Sequence, residues 1–199
     1  MNKKNLIFIS ILIIFFSIKL SMVIESKNIY SDNNWPYSTV YLIPSTHSDP
    51  YWKGEWAGPN MYTLMDNLLD ALLYIKINPD FKYTIDQASI ILAFMEEYPE
   101  YKDDLIKAVN EGKIEIVGGG VSQSDLNIPS GEGLIRNFLE GYKIIKQYFN
   151  VYISVAWQVD TFGAPGSFPT ILAAMDYRYL YYMRDSRGRP EGAFWWVGG

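Results

Sequence analysis

Apolar and polar residues change rhythm repeatedly along the chain, and each change marks a predicted element. Residues 6–18 are apolar except for Ser10 and Ser17. Residues 25–36 are polar, rich in Asn and Ser and closed by Pro36, and read as a linker. Residues 38–43 form a short apolar-rich run that reads as a buried strand, so the folded part begins near Tyr37. Met61, Leu64, Met65, Leu68, Leu69, Leu72, Leu73 and Ile75 recur at helical spacing and predict a helix over 61–77, stopped by Asn78-Pro79-Asp80. Residues 81–85 alternate and predict a strand. Further helices are predicted over 87–97, capped by Asp86 and stopped before Pro99, over 102–110, over 132–148 and over 167–174. Further strands are predicted over 113–117, over 151–156 and on to Asp160, over 179–183, and over the aromatic run 193–197. Strands alternating with helices at this rhythm predict βαβ units and a mainly parallel α/β sheet.

Composition narrows the picture. A chain of 199 residues is enough for one sizeable domain or part of a larger one. With 49% hydrophobic and 16% aromatic residues, a packed core is expected. A net charge of −5 without a basic patch argues against a nucleic-acid partner. The absence of cysteine excludes disulfides and thiolate metal sites. The six Trp and sixteen Tyr suit sugar stacking and core packing alike. Asn2-Lys3-Lys4 followed by the apolar run has the layout of a secretory signal. No small-x-small cleavage site follows, so an uncleaved anchor through residues 5–18 stays open, although the run is shorter than the roughly 20 residues that span a bilayer. The expected organisation is a signal peptide or membrane anchor over 1–24, a linker over 25–36 and a folded domain over 37–199. The expected location is outside the cell, secreted or anchored.

Functional residues of parallel α/β folds collect after the C-terminal ends of strands. His47 and Asp49 follow the first predicted strand, Asp125 follows the Gly-rich end of the 113–117 strand, and Asp160 and Arg184 follow the next two. Residues two apart in an extended segment point to the same side, so one cation can take both His47 and Asp49. A nitrogen and an oxygen donor together suit zinc. Asp160 is the natural third ligand. A carboxylate there, beside Phe162, also suits the nucleophile of a retaining glycosidase, and a loop aspartate capping its own turn is the bland alternative.

Four motifs, in order, resemble the N-terminal catalytic domain of the glycoside hydrolase family 38 α-mannosidases. His47-Ser48-Asp49-Pro50-Tyr51-Trp52 is similar to the family's His-Asn-Asp-Pro-Gly-Trp zinc motif. Gly112-Lys-Ile-Glu-Ile-Val-Gly-Gly119 is similar to its Gly-Arg-Ile-Glu-Ile-Val-Gly-Gly strand, and residues 126–136 to a characteristic loop and helix start. Trp157-Gln-Val-Asp160-Thr-Phe162-Gly163 is similar to its nucleophile motif. The resemblance implies a distorted parallel (β/α) barrel of the glycoside hydrolase and deacetylase type, incomplete over these residues. It implies one divalent metal, zinc, on His47, Asp49 and Asp160, with Asp160 also the nucleophile. It implies Trp52 and Phe162 lining the pocket, Arg184 beside the nucleophile, Asp125 as a weaker site candidate, and a terminal α-mannoside of a glycan as substrate.

The departures from the family pattern matter as much. Ser45 stands where many members carry a histidine, Tyr51 where glycine is usual, Gln123 where glutamate is frequent and Ala164 where many have histidine. The family's fourth metal ligand is a downstream histidine, whereas His47 is the only histidine here. The expectation is therefore a front segment, with the acid and last ligand supplied elsewhere, by further sequence or a second chain. Two other readings stay open. One is a metal-dependent deacetylase, which the single histidine disfavours; the other is a vestigial, non-catalytic carbohydrate-binding protein.

Overall fold

The computed structural model describes residues 41–50, 58–184 and 193–198. The expected leader, the linker and Trp52 lie outside them. The chain divides into two units, residues 1–42 and 43–199, and the second carries every element below. No helix among the described residues is long and apolar enough to cross a membrane.

The elements follow the predicted alternation. They are α1 (Pro59–Ile77), β1 (Tyr83–Ile85), α2 (Ala88–Glu97), a 3-10 turn (Pro99–Tyr101), α3 (Lys102–Asn110), β2 (Ile114–Ile116), α4 (Gly131–Tyr148), β3 (Val155–Thr161), α5 (Phe168–Ala174) and β4 (Tyr179–Arg184). Pro59 starts α1, where its fixed φ and missing N–H cost nothing. Ser130 caps α4 by accepting from Gly133 N at 3.1 Å, and a Glu132–Arg136 pair one turn on supports the same end.

β1 pairs with β2, and β3 with β4, all parallel. The two pieces meet where Gly118 N donates to Val155 O at 2.8 Å. The expected closed barrel is not seen: the described residues give two two-stranded parallel sheets. Their four strands are about half of the eight that close a (β/α) barrel.

Period-two alternation separates the two faces. Tyr83 and Ile85 of β1 and Ile114 and Ile116 of β2 point into a core with Met61, Leu64, Leu68, Ile91, Phe94 and Leu105 of the helices. Ala156 of β3 joins a second core with Phe138 and Phe168. The intervening residues Thr84, Glu115, Val117, Val155 and Trp157 line a groove of about 300 Å³, where Trp157 stacks on Tyr181 at 4.2 Å.

Three local expectations need correction. Residues 41–43 form no strand, and Tyr41, Leu42 and Ile43 are exposed. The segment makes one β-bridge to β1, Ser45 to Thr84, beside which Pro44 offers its carbonyl to Thr84 N but has no N–H to return. Residues 193–198 form no strand either. Trp196 packs on Phe168 at 6.5 Å, while Trp195 and Val197 stand in solvent, so the aromatic run has no ladder partner among the described residues. Asp86 does not cap α2: the N-cap is Gln87, without a side-chain cap bond, and Asp86 is buried.

The turn after β2 depends on glycine. Gly118 has φ +72, and a Cβ there would overlap the Asp86 carbonyl oxygen. Gly141 lets α4 approach this turn, since a Cβ on it would overlap the Gly119 carbonyl. Gly118→Ala is expected to lower the unfolding free energy by about 3 kcal/mol, read from urea melts, because both strain and a backbone clash oppose the methyl. A loss below about 0.5 kcal/mol would show that the turn relaxes freely.

Candidate active site

The site is assembled from strand ends. The segment before His47 is fixed to β1 by the Ser45 bridge, by Thr84 N donating to Pro44 O at 2.9 Å, and by Tyr83 Oη donating to Thr46 Oγ1 at 2.7 Å. Asn60, in the first turn of α1, donates to the Asp49 carbonyl at 2.9 Å. These contacts hold the His-x-Asp pair from both sides. Asp160 is the penultimate residue of β3, and Arg184 ends β4, directly opposite Thr161 in the ladder.

His47 Nε2 lies 3.8 Å from Asp49 Oδ1 and 3.9 Å from Asp160 Oδ2. Both separations are too long for hydrogen bonds, and the buried Nε2 has no hydrogen-bond partner. An acceptor-rich group with an orphaned nitrogen at its centre fits a cation. Donors bound to one tetrahedral zinc at about 2.1 Å sit roughly 3.4 Å apart, so the two His47 separations lie within about half an ångström of that spacing. Among the described residues the three donor atoms all lie within 4.8 Å of one another, and the chemistry of the set, one imidazole and two carboxylates, matches a hard-to-borderline divalent ion.

The two oxygens of Asp160 are divided between neighbours. Oδ2 faces His47, and Oδ1 accepts from the Arg184 guanidinium. Arg184 also lies over the Phe162 ring at 4.4 Å, and it holds φ +79, a conformation uncommon for a side chain this large. Phe162 is 61% exposed, so it offers an apolar surface beside the carboxylate. The structure brings His47, Asp49, Asp160, Phe162 and Arg184 close together. Asp125 stands apart; its Oδ1 accepts from Asn127 N at 3.1 Å in a local turn.

Two residues near the site were not assigned to it from the sequence. Asp86 is 5% exposed and its Oδ1 has no partner. Burial pushes its carboxyl up to about 6, with the nearby His47 charge pulling the other way. Its position just after β1, at the same end as the other site residues, was the available signal. Gln123 reaches the backbone of Asp160, and no sequence pattern announces that contact.

A parallel α/β domain whose strand ends bring one histidine and two carboxylates together, with an arginine on one carboxylate, presents a donor group that could hold a metal ion at the place where enzymes of this fold class carry their sites. The comparisons with known proteins give the family. The chain belongs to glycosyl hydrolases family 38: that family's N-terminal domain matches residues 37–199. Alpha-mannosidase F of Dictyostelium discoideum is 28% identical over 149 residues, covering 73% of this chain and 15% of the relative. Human alpha-mannosidase 2C1 is 30% identical over 164 residues, covering 80% of this chain and 16% of the relative. The crystal structure of an alpha-mannosidase from Enterococcus faecalis shares the fold with a TM-score of 0.61 at 24% identity, over 69% of this chain and 16% of that one. The chain therefore spans about 15% of the length of the curated relatives it matches.

Proposed function

We propose that this chain carries the metal donors and the nucleophile of a retaining α-mannosidase that removes terminal α-mannosides from glycans. The observation that carries the reading is the convergence of His47 Nε2, Asp49 Oδ1 and Asp160 Oδ2, with the second Asp160 oxygen on Arg184. Alpha-mannosidase relatives within the family support the reaction and the substrate class. His47, Asp49 and Asp160 would hold the ion, which we take to be zinc. When bound, such an ion supplies Lewis acidity that holds and polarises a sugar hydroxyl.

The residues divide the remaining work. An Asp160 oxygen attacks the anomeric carbon as the glycosidic C–O bond breaks, and the departing oxygen takes a proton from an acid. Water then attacks the same carbon, gives up a proton and releases Asp160 as a free carboxylate. Two inversions leave the configuration retained. Arg184 fixes which Asp160 oxygen faces the sugar, and the exposed Phe162 ring gives the sugar an apolar surface. No described residue is assigned the acid, which we place in further sequence or a second chain. Trp52 is proposed as a pocket wall from its motif. Residues 1–24 are proposed as an export leader or anchor and 25–36 as a linker, on the basic start and apolar run.

The test is hydrolysis of an aryl α-mannoside by the full-length protein, followed by proton NMR. The α anomer of mannose should appear first. First appearance of the β anomer would remove the reading, as would no hydrolysis with metal supplied and the acid-bearing sequence or subunit present.

A further inference from the structure

The loop after β2 folds back under the strand that carries Asp160. Val121 N donates to the carbonyl of Asn137 in α4 at 3.0 Å, Ser122 N donates to Asn137 Oδ1 at 3.1 Å, and Asn137 Nδ2 returns a bond to Ser122 O at 2.8 Å. Gln123 N donates to Gln87 Oε1 at 3.1 Å, and Gln87 is 2% exposed. The backbone of residues 121–123 is therefore held from two sides, by Asn137 of α4 and by Gln87 before α2. The Gln123 amide is assigned with the oxygen toward β3, because the two groups it faces there, Val159 N and Asp160 N, are both donors; so oriented, the oxygen accepts from both, from Asp160 N at 3.1 Å.

Those two N–H groups sit where the sheet is irregular. The β3–β4 ladder is regular through Gln158 opposite Tyr182 and resumes at Thr161 opposite Arg184. Val159 and Asp160 thus face Met183 alone, which is the two-against-one count of a bulge. A bulge takes residues out of the ladder and re-aims the side chain it carries. A donor left unpaired there would have to find water or move. Gln123 supplies the acceptor from outside the ladder.

We propose that Gln123 is a positioning residue for Asp160. By closing the bulge, its amide oxygen fixes the backbone from which the Asp160 carboxylate reaches Arg184 with one oxygen and the His47 group with the other. This rests on the proposed reading only in taking Asp160 as a metal donor. A supporting shell of this kind changes metal affinity by about 10- to 100-fold when lost.

The experiment measures Co²⁺ affinity and the visible d–d spectrum of the full chain, with folding followed by circular dichroism. Gln123→Met keeps the length and removes the acceptor; Gln123→Glu keeps an acceptor oxygen. Gln123→Met should weaken Co²⁺ binding about tenfold or more and alter the d–d band, while Gln123→Glu should bind within about threefold of the parent or tighter. Gln123→Asn, whose oxygen is one carbon short, gives the same expected weakening and replaces Gln123→Met if that variant does not fold. Asp160→Asn separates the two claims. If Asp160→Asn weakens binding and neither Gln123→Met nor Gln123→Asn does, the positioning role is wrong and the metal reading stands. If Asp160→Asn also binds as the parent does, the metal reading fails and takes this inference with it.

Discussion

Asp160→Asn should lower kcat for aryl α-mannoside hydrolysis by at least about four orders of magnitude in the full-length protein, the scale on which loss of a nucleophile acts. The substitution is nearly isosteric. The amide oxygen can still accept from Arg184, so the fold around β3 and β4 should be kept. What is lost is an anion able to form and release a bond at the anomeric carbon. The variant also removes a charged donor from the group with His47 Nε2, so zinc content should fall together with turnover. Kinetics and metal analysis on one preparation check both. Activity retained to within about tenfold would mean that another carboxylate is the nucleophile and that Asp160 is a structural partner of Arg184.

Asp86→Asn should stabilise the metal-free chain near pH 7 by as much as about 3 kcal/mol and change it little at pH 4. Burial raises the Asp86 carboxyl from its ordinary 3.8 to about 6, against the opposing pull of His47. A folded-state value above the unfolded one means that folding favours the protonated acid. That stability is fully present below about pH 3.8 and is lost as pH rises through about 6. At roughly 1.4 kcal/mol for each pKa unit, the difference corresponds to about 3 kcal/mol. Asparagine cannot ionise, so the variant lacks this dependence. Urea melts of both proteins from pH 4 to pH 8 measure it. A difference between them that stays constant with pH would show that Asp86 ionises in the folded chain as it does in the unfolded one.

How far the sequence shows the fold depends on whether an element is decided locally. α1 is legible because eight apolar residues repeat at helical spacing, and the observed Pro59–Ile77 contains the predicted 61–77. β3 begins at Val155, not at 151, because ladder pairing starts only where Arg178 N and Tyr179 N reach Ser154 O. That is a tertiary decision that alternation cannot anticipate. Residues 41–43 and 193–197 look like strands by composition, yet composition does not supply a partner, and Pro44 removes a donor where the first would have paired.

The site divides the same way. His47, Asp49 and Asp160 stand in short motifs whose residue types already specify the chemistry, and Arg184 is found by the strand-end rule. Asp86 obeyed that rule too, but an Asp before a helical pattern also reads as a cap, and only burial distinguishes the two. Gln123 was the least legible. Its partner is a bulge, and a bulge is set by the register of two strands rather than by either one.

The most direct test of the central claim is mass spectrometry of the full-length protein trapped with a fluorinated α-mannosyl fluoride, followed by peptide mapping. The account predicts a fluoromannosyl adduct on the peptide that contains Asp160, absent after Asp160→Asn. Complete turnover of an aryl α-mannoside with no adduct, or an adduct on a different carboxylate, would contradict it.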